Sequence, residues 1–276
     1  MSDNHLLRRW APLVVTCAIA VVGSACNRGP ATPRTDAERL ALGKQIIDRT
    51  SAKVGSAQTF SVKTHEVRHV TDSKGQPRQD TFERETIVRR PDRFYTTTTG
   101  DRQNETWYDG VGMTVVVHKD KVFGQARMPE TLDKTLDAMH ERYGVAMPLA
   151  DFMYSSPAKA LISDTTTGGW VGRETIDGQE TDHLAFKDKG VNWEVWVATG
   201  DQVPKKAIAE FTEDKRLRKV EVVFREWNLA PQIASDRFTP KVPADYEGIA
   251  IVQRARVLRN AKAENPAAPT AGSEKK

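Results

Sequence analysis

The chain has 276 residues, of which 38% are hydrophobic and 28% charged, a composition typical of soluble globular proteins. This length suits one large β-rich domain or two small ones, and either arrangement buries a sizeable core. The formal net charge is +4. Because acidic and basic residues are interspersed, the sequence does not show the concentrated basic surface of a nucleic-acid-binding protein, and we expect no nucleic-acid partner.

Residues 1–25 have the pattern of an export signal peptide. Arg8 and Arg9 precede an apolar run of about 13 residues, whereas a membrane-spanning helix needs roughly 20. Small residues then lead to Cys26. The segment resembles a bacterial lipoprotein signal, which makes Cys26 the lipidated first residue of the mature chain. Ordinary secretion with cleavage after Ala25 is the alternative, because Gly23 stands where such signals usually carry an aliphatic residue.

The two cysteines agree with export. Cys17 lies inside the apolar run and Cys26 at the proposed cleavage site. A domain exported without a disulfide depends on its core for stability. Asn27 is not the aspartate that serves as a retention signal in enteric bacteria. We therefore expect a lipid-anchored protein of the bacterial cell envelope that faces the periplasm, with the outer membrane as its destination.

A short tether and a first helix follow the signal. Residues 26–35 are rich in proline and small or polar residues, as in flexible linkers. Asp36 is a candidate N-cap, and apolar residues then recur at helical spacing to about Ala52. This pattern predicts an amphipathic helix with a narrow apolar stripe that lies against a sheet.

The next segments have the period of two that is typical of β-strands, with short turns between them. The predicted strands are Phe60–Val70, Gln79–Arg89, Phe94–Thr98, Glu105–Tyr108, Met113–His118 and Val122–Ala126. Consecutive strands joined by short turns favour an antiparallel meander.

A helical insert interrupts the meander. Apolar residues at helical spacing, among them Leu136 and Met139, predict a helix from about Pro129 to Gly144, and two shorter helical pieces follow. The shorter pieces are Leu149–Met153 and Ala158–Ile162. Strands then resume, and the predicted ones are Trp170–Ile176, Thr181–Phe186, Val191–Val197, Ala207–Phe211 and Leu217–Asn228.

The domain is predicted to span residues 36–247, closing near Phe238 to Pro243. Within the basic segment 248–276, Ile249–Ala263 predicts a short helix or a last strand. The Pro-, Ala- and Lys-rich remainder is predicted to be disordered.

The hairpin of residues 181–197 supplies the candidate ligand-binding face. In its second strand, alternate residues form an apolar stripe that carries one indole. If the sheet leaves a hollow, we expect this stripe and residues of the following strands to face it, with the helical insert as a lid. The candidate cavity residues are Val191, Trp193, Val195, Val197, Phe211, Val220, Val222, Phe224, Leu136 and Met139. The alternative is that these side chains simply fill a packed core.

One motif invites a metal interpretation. Residues 65–69 match the zinc-protease pattern His-Glu-x-x-His, which places both imidazoles on one metal only when the segment is helical. Here the flanking residues predict a strand, on which His65 and His69 lie about 13 Å apart. The chain also shows no nucleophile elbow and no phosphate loop. We therefore expect no enzyme activity, no bound metal and no cofactor.

Several short segments, in order, resemble a known family. They are Arg89-Arg90-Pro91-Asp92-Arg93, Trp107-Tyr108-Asp109-Gly110, the stretch Tyr143–Asp151, Asp177-Gly178 with His183–Phe186, and Trp193–Trp196 with Pro204-Lys205-Lys206. The resemblance covers roughly residues 36–243 and is to a family of predicted periplasmic proteins of unknown function, itself similar to the lipoprotein carrier and receptor proteins LolA and LolB. It implies a mainly β, α+β fold: a strongly curved antiparallel sheet, an incomplete β-barrel, with helices covering its concave face.

The resemblance also implies a function. In the carriers the hollow holds the acyl chains of a lipoprotein, so the leading hypothesis is an envelope lipoprotein that binds an apolar ligand, a lipid or acyl chains. The alternative hypothesis is a structural or accessory envelope protein that uses the same fold to bind a protein partner without lipid. A zinc hydrolase built on His65 and His69 is the third and weakest hypothesis.

Overall fold

A computed structural model describes residues 32–144 and 150–251. The predicted signal, Cys26 and nearly all of the predicted tail lie outside the described residues. The structure begins with α1 (Asp36–Gly55). Its N-terminus is closed by a capping box, in which the Thr35 hydroxyl accepts from the Glu38 backbone and the Glu38 carboxylate accepts from the Thr35 backbone. Its buried stripe is narrow, as predicted, and is formed by Gly43, Ile46, Ile47, Thr50, Ser51 and Val54.

The described residues form one open sheet of twelve strands. The strands before the helical insert are β1 (Thr59–Thr71), β2 (Pro77–Arg89), β3 (Arg93–Gly100), β4 (Asn104–Tyr108), β5 (Gly112–Val117) and β6 (Val122–Arg127). The strands after it are β7 (Thr167–Ile176), β8 (Gln179–Asp188), β9 (Val191–Ala198), β10 (Pro204–Phe211), β11 (Leu217–Asn228) and β12 (Glu247–Ala250). Their order across the sheet is β12-β6-β5-β4-β3-β2-β1-β11-β10-β9-β8-β7.

The sheet therefore has two wings, β6 to β2 and β10 to β7, which meet where β1 pairs with β11. Neighbouring strands are antiparallel except for β12, which lies parallel to β6. The edge strands β12 and β7 do not pair with each other, so the sheet is not closed into a barrel. The predicted mainly β, antiparallel and incomplete barrel is confirmed.

The helical insert contains α2 (Leu132–Tyr143), α3 (Ala150–Met153) and α4 (Pro157–Ile162). Helix α2 begins after Thr131, whose hydroxyl accepts from the Lys134 backbone, and ends at Gly144 in the left-handed conformation. Arg90 holds the insert to the sheet by donating to the carbonyls of Met153 and Tyr154, at 2.7 and 2.8 Å.

Alternation along the strands sorts side chains between two faces. The inner face packs against all four α-helices in one apolar cluster, which includes Phe94 and Met113 from one wing and Leu184 and Val195 from the other. Because a single cluster joins both wings to the same helices, the sheet curves around them. The outer face of the β2–β5 wing carries a second cluster that includes Trp107.

The C-terminal segment covers this outer cluster. A 3₁₀ helix (Ser235–Phe238) places Phe238 against Ile87, Tyr95, Trp107 and Val116. The chain then adds β12, which ends at Ala250, so the sheet continues three residues past the predicted boundary at 247. Within the described residues, no helix has both the length and the apolar character needed to cross a membrane.

Candidate ligand-binding cavity

A cavity of about 430 Å³ lies between the helical insert and strands β9–β11. Its lining on the sheet side includes Val191, Val195, Ala207, Ala209 and Val220, all from the inner face. On the insert side the apolar lining is Leu136, Met139, Ala150, Phe152, Ala160 and Leu161. This volume falls in the range of about 300–1,000 Å³ that is usual for small-molecule sites, and a mostly apolar lining is their usual chemistry.

Eight of the ten candidate cavity residues line this space. They are Val191, Trp193, Val195, Phe211, Val220, Val222, Leu136 and Met139. The other two, Val197 and Phe224, face inward but lie in the packed core, where Phe224 makes an edge-on contact with Phe152 at 5.7 Å between ring centroids. The inner face thus holds both a packed part and a hollow part, where the sequence offered these as alternatives.

Trp193 forms one wall of the cavity. Its ring stacks on Phe186 at 4.5 Å between centroids, and its Nε1 donates to Asp188 Oδ2 at 2.7 Å. Asp188 also accepts from the Thr165 hydroxyl at 3.0 Å, so the carboxylate that fixes the indole is itself held in place. The apolar ring is therefore presented to the cavity in a defined orientation while its polar atom is satisfied.

The helix side of the cavity carries acidic groups: Asp137, Glu141 and Asp151 belong to its lining. Asp137 accepts from the Tyr154 hydroxyl at 2.8 Å. Burial raises the pKa of Asp151 above its ordinary value, against smaller lowering effects from a backbone hydrogen bond and from His140. The lid of the cavity is thus acidic at its rim and apolar beneath.

A polar cluster on the inner face was not foreseen from the sequence. Glu66 is fully buried, and both of its oxygens accept from Arg84, at 2.8 and 3.4 Å, while Arg68 donates to Oε2 at 3.3 Å. The available signal was the period of two: Glu66 shares the even-numbered face of β1 with Phe60 and Val62.

The two histidines of this motif point to the other side of β1. His65 Nδ1 lies 2.6 Å from Glu83 Oε1, and His69 Nε2 lies 3.0 Å from Glu221 Oε1. Each imidazole thus has a different carboxylate partner, on a different neighbouring strand. Among the described residues no group of three or more histidine, cysteine, aspartate or glutamate side chains is placed to hold a metal ion.

A polar cluster around a single histidine, His183, lies on the outer face of the β7–β10 wing. His183 sits between Glu174 and Glu194, at 2.9 and 2.6 Å, and stacks on Trp196 at 4.1 Å between centroids. The hydrogen bond from Trp196 Nε1 lowers the pKa of Glu174. Lys206 lies over the Trp196 ring at 4.8 Å. All of these groups have partners, so the cluster fixes the outer face of the wing.

The open, mainly β sheet curves around the helices, and a mostly apolar cavity lies between its inner face and the helical insert. This arrangement defines the class of half-barrel proteins with a hollow. The chain belongs to the family described as "Predicted periplasmic protein (DUF2092)", whose profile matches residues 43–252. The resemblance stated from the sequence is thereby confirmed at the level of the family. No functionally curated protein matches the sequence.

The solved structures to which this chain is similar share little sequence with it. An uncharacterized conserved protein from Thermus thermophilus is 9% identical, with 75% of this chain and 98% of that chain covered and a TM-score of 0.45. The lipoprotein LppX of Mycobacterium tuberculosis is 17% identical, with 70% and 98% covered and a TM-score of 0.40. A LolA superfamily protein from Nitrosomonas europaea is 14% identical, with 72% and 98% covered and a TM-score of 0.35.

Proposed function

We propose that this protein is a non-enzymatic envelope lipoprotein that binds an apolar ligand, a lipid or its acyl chains, in the cavity between the helical insert and β9–β11. The observation that carries the proposal is the cavity itself, about 430 Å³ and lined mainly by apolar side chains from three strands and three helices. Each methylene group that leaves water for such a site contributes about 0.8 kcal/mol. An acyl chain is the natural occupant of a hollow that offers few hydrogen-bonding groups.

Lipid attachment at Cys26 is the second part of the proposal. Acyl chains on Cys26 would hold the domain at the membrane through a tether of residues 26–35, because two or more chains give stable anchoring. Cys26→Ser should move the protein from the membrane fraction to the soluble periplasmic fraction. Equal membrane association of the wild type and the variant would contradict anchoring at this residue.

The cavity is tested first by truncating its aromatic wall. Trp193→Ala should abolish most of the binding of an uncharged apolar fluorophore, N-phenylnaphthylamine, and of a fatty acid. In a fully packed core the same truncation costs about 3–5 kcal/mol, but a ring that borders a hollow makes fewer contacts, so we expect a smaller loss. The paired measurement is the free energy of unfolding in urea and the fluorophore affinity of both proteins.

A second variant fills the cavity instead. Ala207 lines the hollow, so Ala207→Leu should reduce fluorophore binding without lowering the free energy of unfolding. Ala138 is the matched control, because this α2 residue is 3% exposed in the apolar cluster and does not belong to the cavity lining. There the same change should cost about 1–3 kcal/mol, as overpacking usually does.

These measurements also separate the two hypotheses. If the wild type binds neither the fluorophore nor a fatty acid, and Ala207→Leu destabilises the protein as much as Ala138→Leu, the inner face is packed throughout. The lipid-binding proposal then fails, and an envelope protein that binds a protein partner remains. Native mass spectrometry of protein purified from membranes supplies an independent test, because bound lipid adds a defined mass.

A further inference from the structure

We infer that the cavity continues into an anion-binding site on β1–β3, so that the ligand is an amphiphile with an anionic head group. The inference rests on the proposed function for the apolar part of the ligand. Its own basis is the buried cluster of Glu66, Arg68 and Arg84, together with the unpartnered hydroxyls beside it.

The cluster directly adjoins the cavity. In the β1–β11 register Glu66 faces Val222 and Arg68 faces Val220, the two valines of β11 that line the cavity. Residues directly opposite each other in antiparallel strands lie about 4.5–5.5 Å apart and share a face. The inner face of the sheet therefore changes from apolar to charged between β11 and the neighbouring strand β1.

The cluster has an excess of positive charge. Glu66 is fully buried between Arg84 and Arg68, whose side chains are 11% and 12% exposed. The guanidinium groups of Arg68 and Arg102 lie on the Phe82 ring, at 5.4 and 5.7 Å from its centroid. One carboxylate among three arginines leaves the site cationic.

One further ion pair borders the cluster without changing this balance. Asp80 lies opposite Arg68 in the β1–β2 register, but its two oxygens accept from Arg78, at 2.7 and 3.0 Å. The two charges of this pair cancel, so the inner face of β1–β2 and the adjoining Arg102 keep a net positive charge.

Donors without partners point into the same region. The hydroxyls of Thr64 and Thr98, on the strands either side of Arg84, are buried and make no hydrogen bond within the described structure; neither does Arg68 Nε. Buried polar groups in proteins nearly always have a partner, so such a group calls for one. All three can donate, and a phosphate or carboxylate supplies several acceptor oxygens and a negative charge at once.

The charges also orient the ligand. Asp137, Glu141 and Asp151 on the insert side of the cavity would repel an anion, whereas the arginines on β1–β2 attract it. The acyl part would then lie between the insert and β9–β11, with its head directed toward Arg68 and Arg84.

The test uses the purified full chain and lipids that share their acyl chains but differ in their heads. N-phenylnaphthylamine reports occupancy of the apolar cavity, and dioleoyl phosphatidic acid and dioleoylglycerol compete with it. In the wild type, phosphatidic acid should displace the fluorophore at a concentration about tenfold lower than dioleoylglycerol, since a charge-assisted hydrogen bond in such a site changes affinity by roughly this factor. Inorganic phosphate alone should not compete, because the apolar part of the ligand is required.

The variants separate the head-group site from the cavity. Arg68→Gln should bring the two lipids to nearly equal affinity, with each lipid measured against fluorophore binding by the same variant. Arg225 serves as the control, because it lies on the adjacent β11 strand with its side chain 54% exposed, and Arg225→Gln should keep the tenfold preference. Glu66→Gln should increase the preference for phosphatidic acid over dioleoylglycerol. It removes the only carboxylate that binds Arg68 and Arg84 directly within the described structure.

The outcomes distinguish this inference from the proposed function. Equal displacement by the two lipids in the wild type overturns the anion site and leaves the apolar cavity standing, whether or not Arg68→Gln folds. Competition by inorganic phosphate as strong as that by phosphatidic acid overturns the amphiphile and leaves an anion site alone. If neither the fluorophore nor any lipid binds, the proposed function fails and the inference fails with it.

Discussion

Among single residues, Glu66 is one whose removal should be costly to the fold. It is fully buried and binds two arginines that are themselves nearly buried. Removing one partner of a buried ion pair leaves uncompensated charge in a low-dielectric site, which typically costs about 3–5 kcal/mol. Glu66→Ala should therefore lower the free energy of unfolding by this amount in urea titrations.

Glu83 provides the matched comparison for Glu66. It lies on the outer face of β2, pairs with His65 and is 54% exposed. Exposed pairs are worth at most about 1 kcal/mol, so Glu83→Ala should change stability by less than that. Equal losses for the two variants would mean that Glu66 is solvated and that the inner-face cluster is not a buried site.

Asp151 should make stability depend on pH. Burial raises the pKa of this carboxyl, so the folded state favours its protonated form. Stability is then fully present below the ordinary carboxyl pKa and falls as pH rises toward the folded-state pKa. Asp151→Asn removes this loss, so the variant should be more stable than the wild type at neutral pH and equally stable in acid. A variant that is less stable than the wild type at neutral pH, and equally stable in acid, would show that the carboxylate is favourably charged in the fold.

At the scale of elements, α1 and β7 approach so closely that each of them requires a glycine at the contact, Gly43 on α1 and Gly169 on β7. A Cβ on Gly169 would lie 2.2 Å from the Arg39 carbonyl oxygen, and its φ of +134° is one that other residues rarely adopt. A Cβ on Gly43 of the helix would lie 2.8 Å from Gly169 Cα. Gly169→Ala should therefore cost at least about 2 kcal/mol through overpacking and backbone strain.

Gly172 lies on the same strand and supplies the control. A Cβ there would meet no atom within 4 Å. Gly172→Ala should therefore stay within about 0.5 kcal/mol of the wild type, as surface substitutions usually do. Both variants are compared by the midpoint of urea unfolding at an unchanged slope. Similar behaviour of the two would mean that α1 does not pack on β7 at this distance.

The elements themselves were largely predictable because their signals are local. The alternation of Val191, Trp193 and Val195 predicts both the strand and its inner face. The predicted N-cap of the first helix, Asp36, lies one residue after the actual cap, Thr35. The parallel pairing of β12 with β6 was not predictable, since nothing local in Glu247–Ala250 specifies a partner more than a hundred residues away. Long-range pairing has no sequence period.

The candidate site was predictable from the sequence on its apolar side and not on its polar side. Its apolar side follows from the alternation on β9 and β11, and eight of ten candidate residues line the cavity. Its polar side was missed because threonine is common in strands whether buried or exposed. The burial of Thr64, Thr86, Thr96 and Thr98 depends on what covers them, and that is a property of the tertiary fold.

The whole molecule should unfold as one unit although its sheet is open and its wings meet only at β1 and β11. The reason is that the apolar cluster of the inner face contains side chains from both wings and from all four α-helices. Leu184 on β8 and Met113 on β5 are 0% and 3% exposed members of this cluster, one from each wing. Loss of either therefore weakens packing against helices that the other wing also uses.

Leu184→Ala and Met113→Ala should each lower the free energy of unfolding by about 2–5 kcal/mol, the usual cost of truncating such side chains in a core. In both variants, urea unfolding followed by tryptophan fluorescence and by far-UV circular dichroism should give a single coincident transition, as cooperative unfolding requires. The probes are well placed, because Trp107 reports on the first wing and Trp193 and Trp196 on the second. Two separated transitions in the Met113→Ala variant, with the second wing unaffected, would show that the wings are independent and that the helices belong to only one of them.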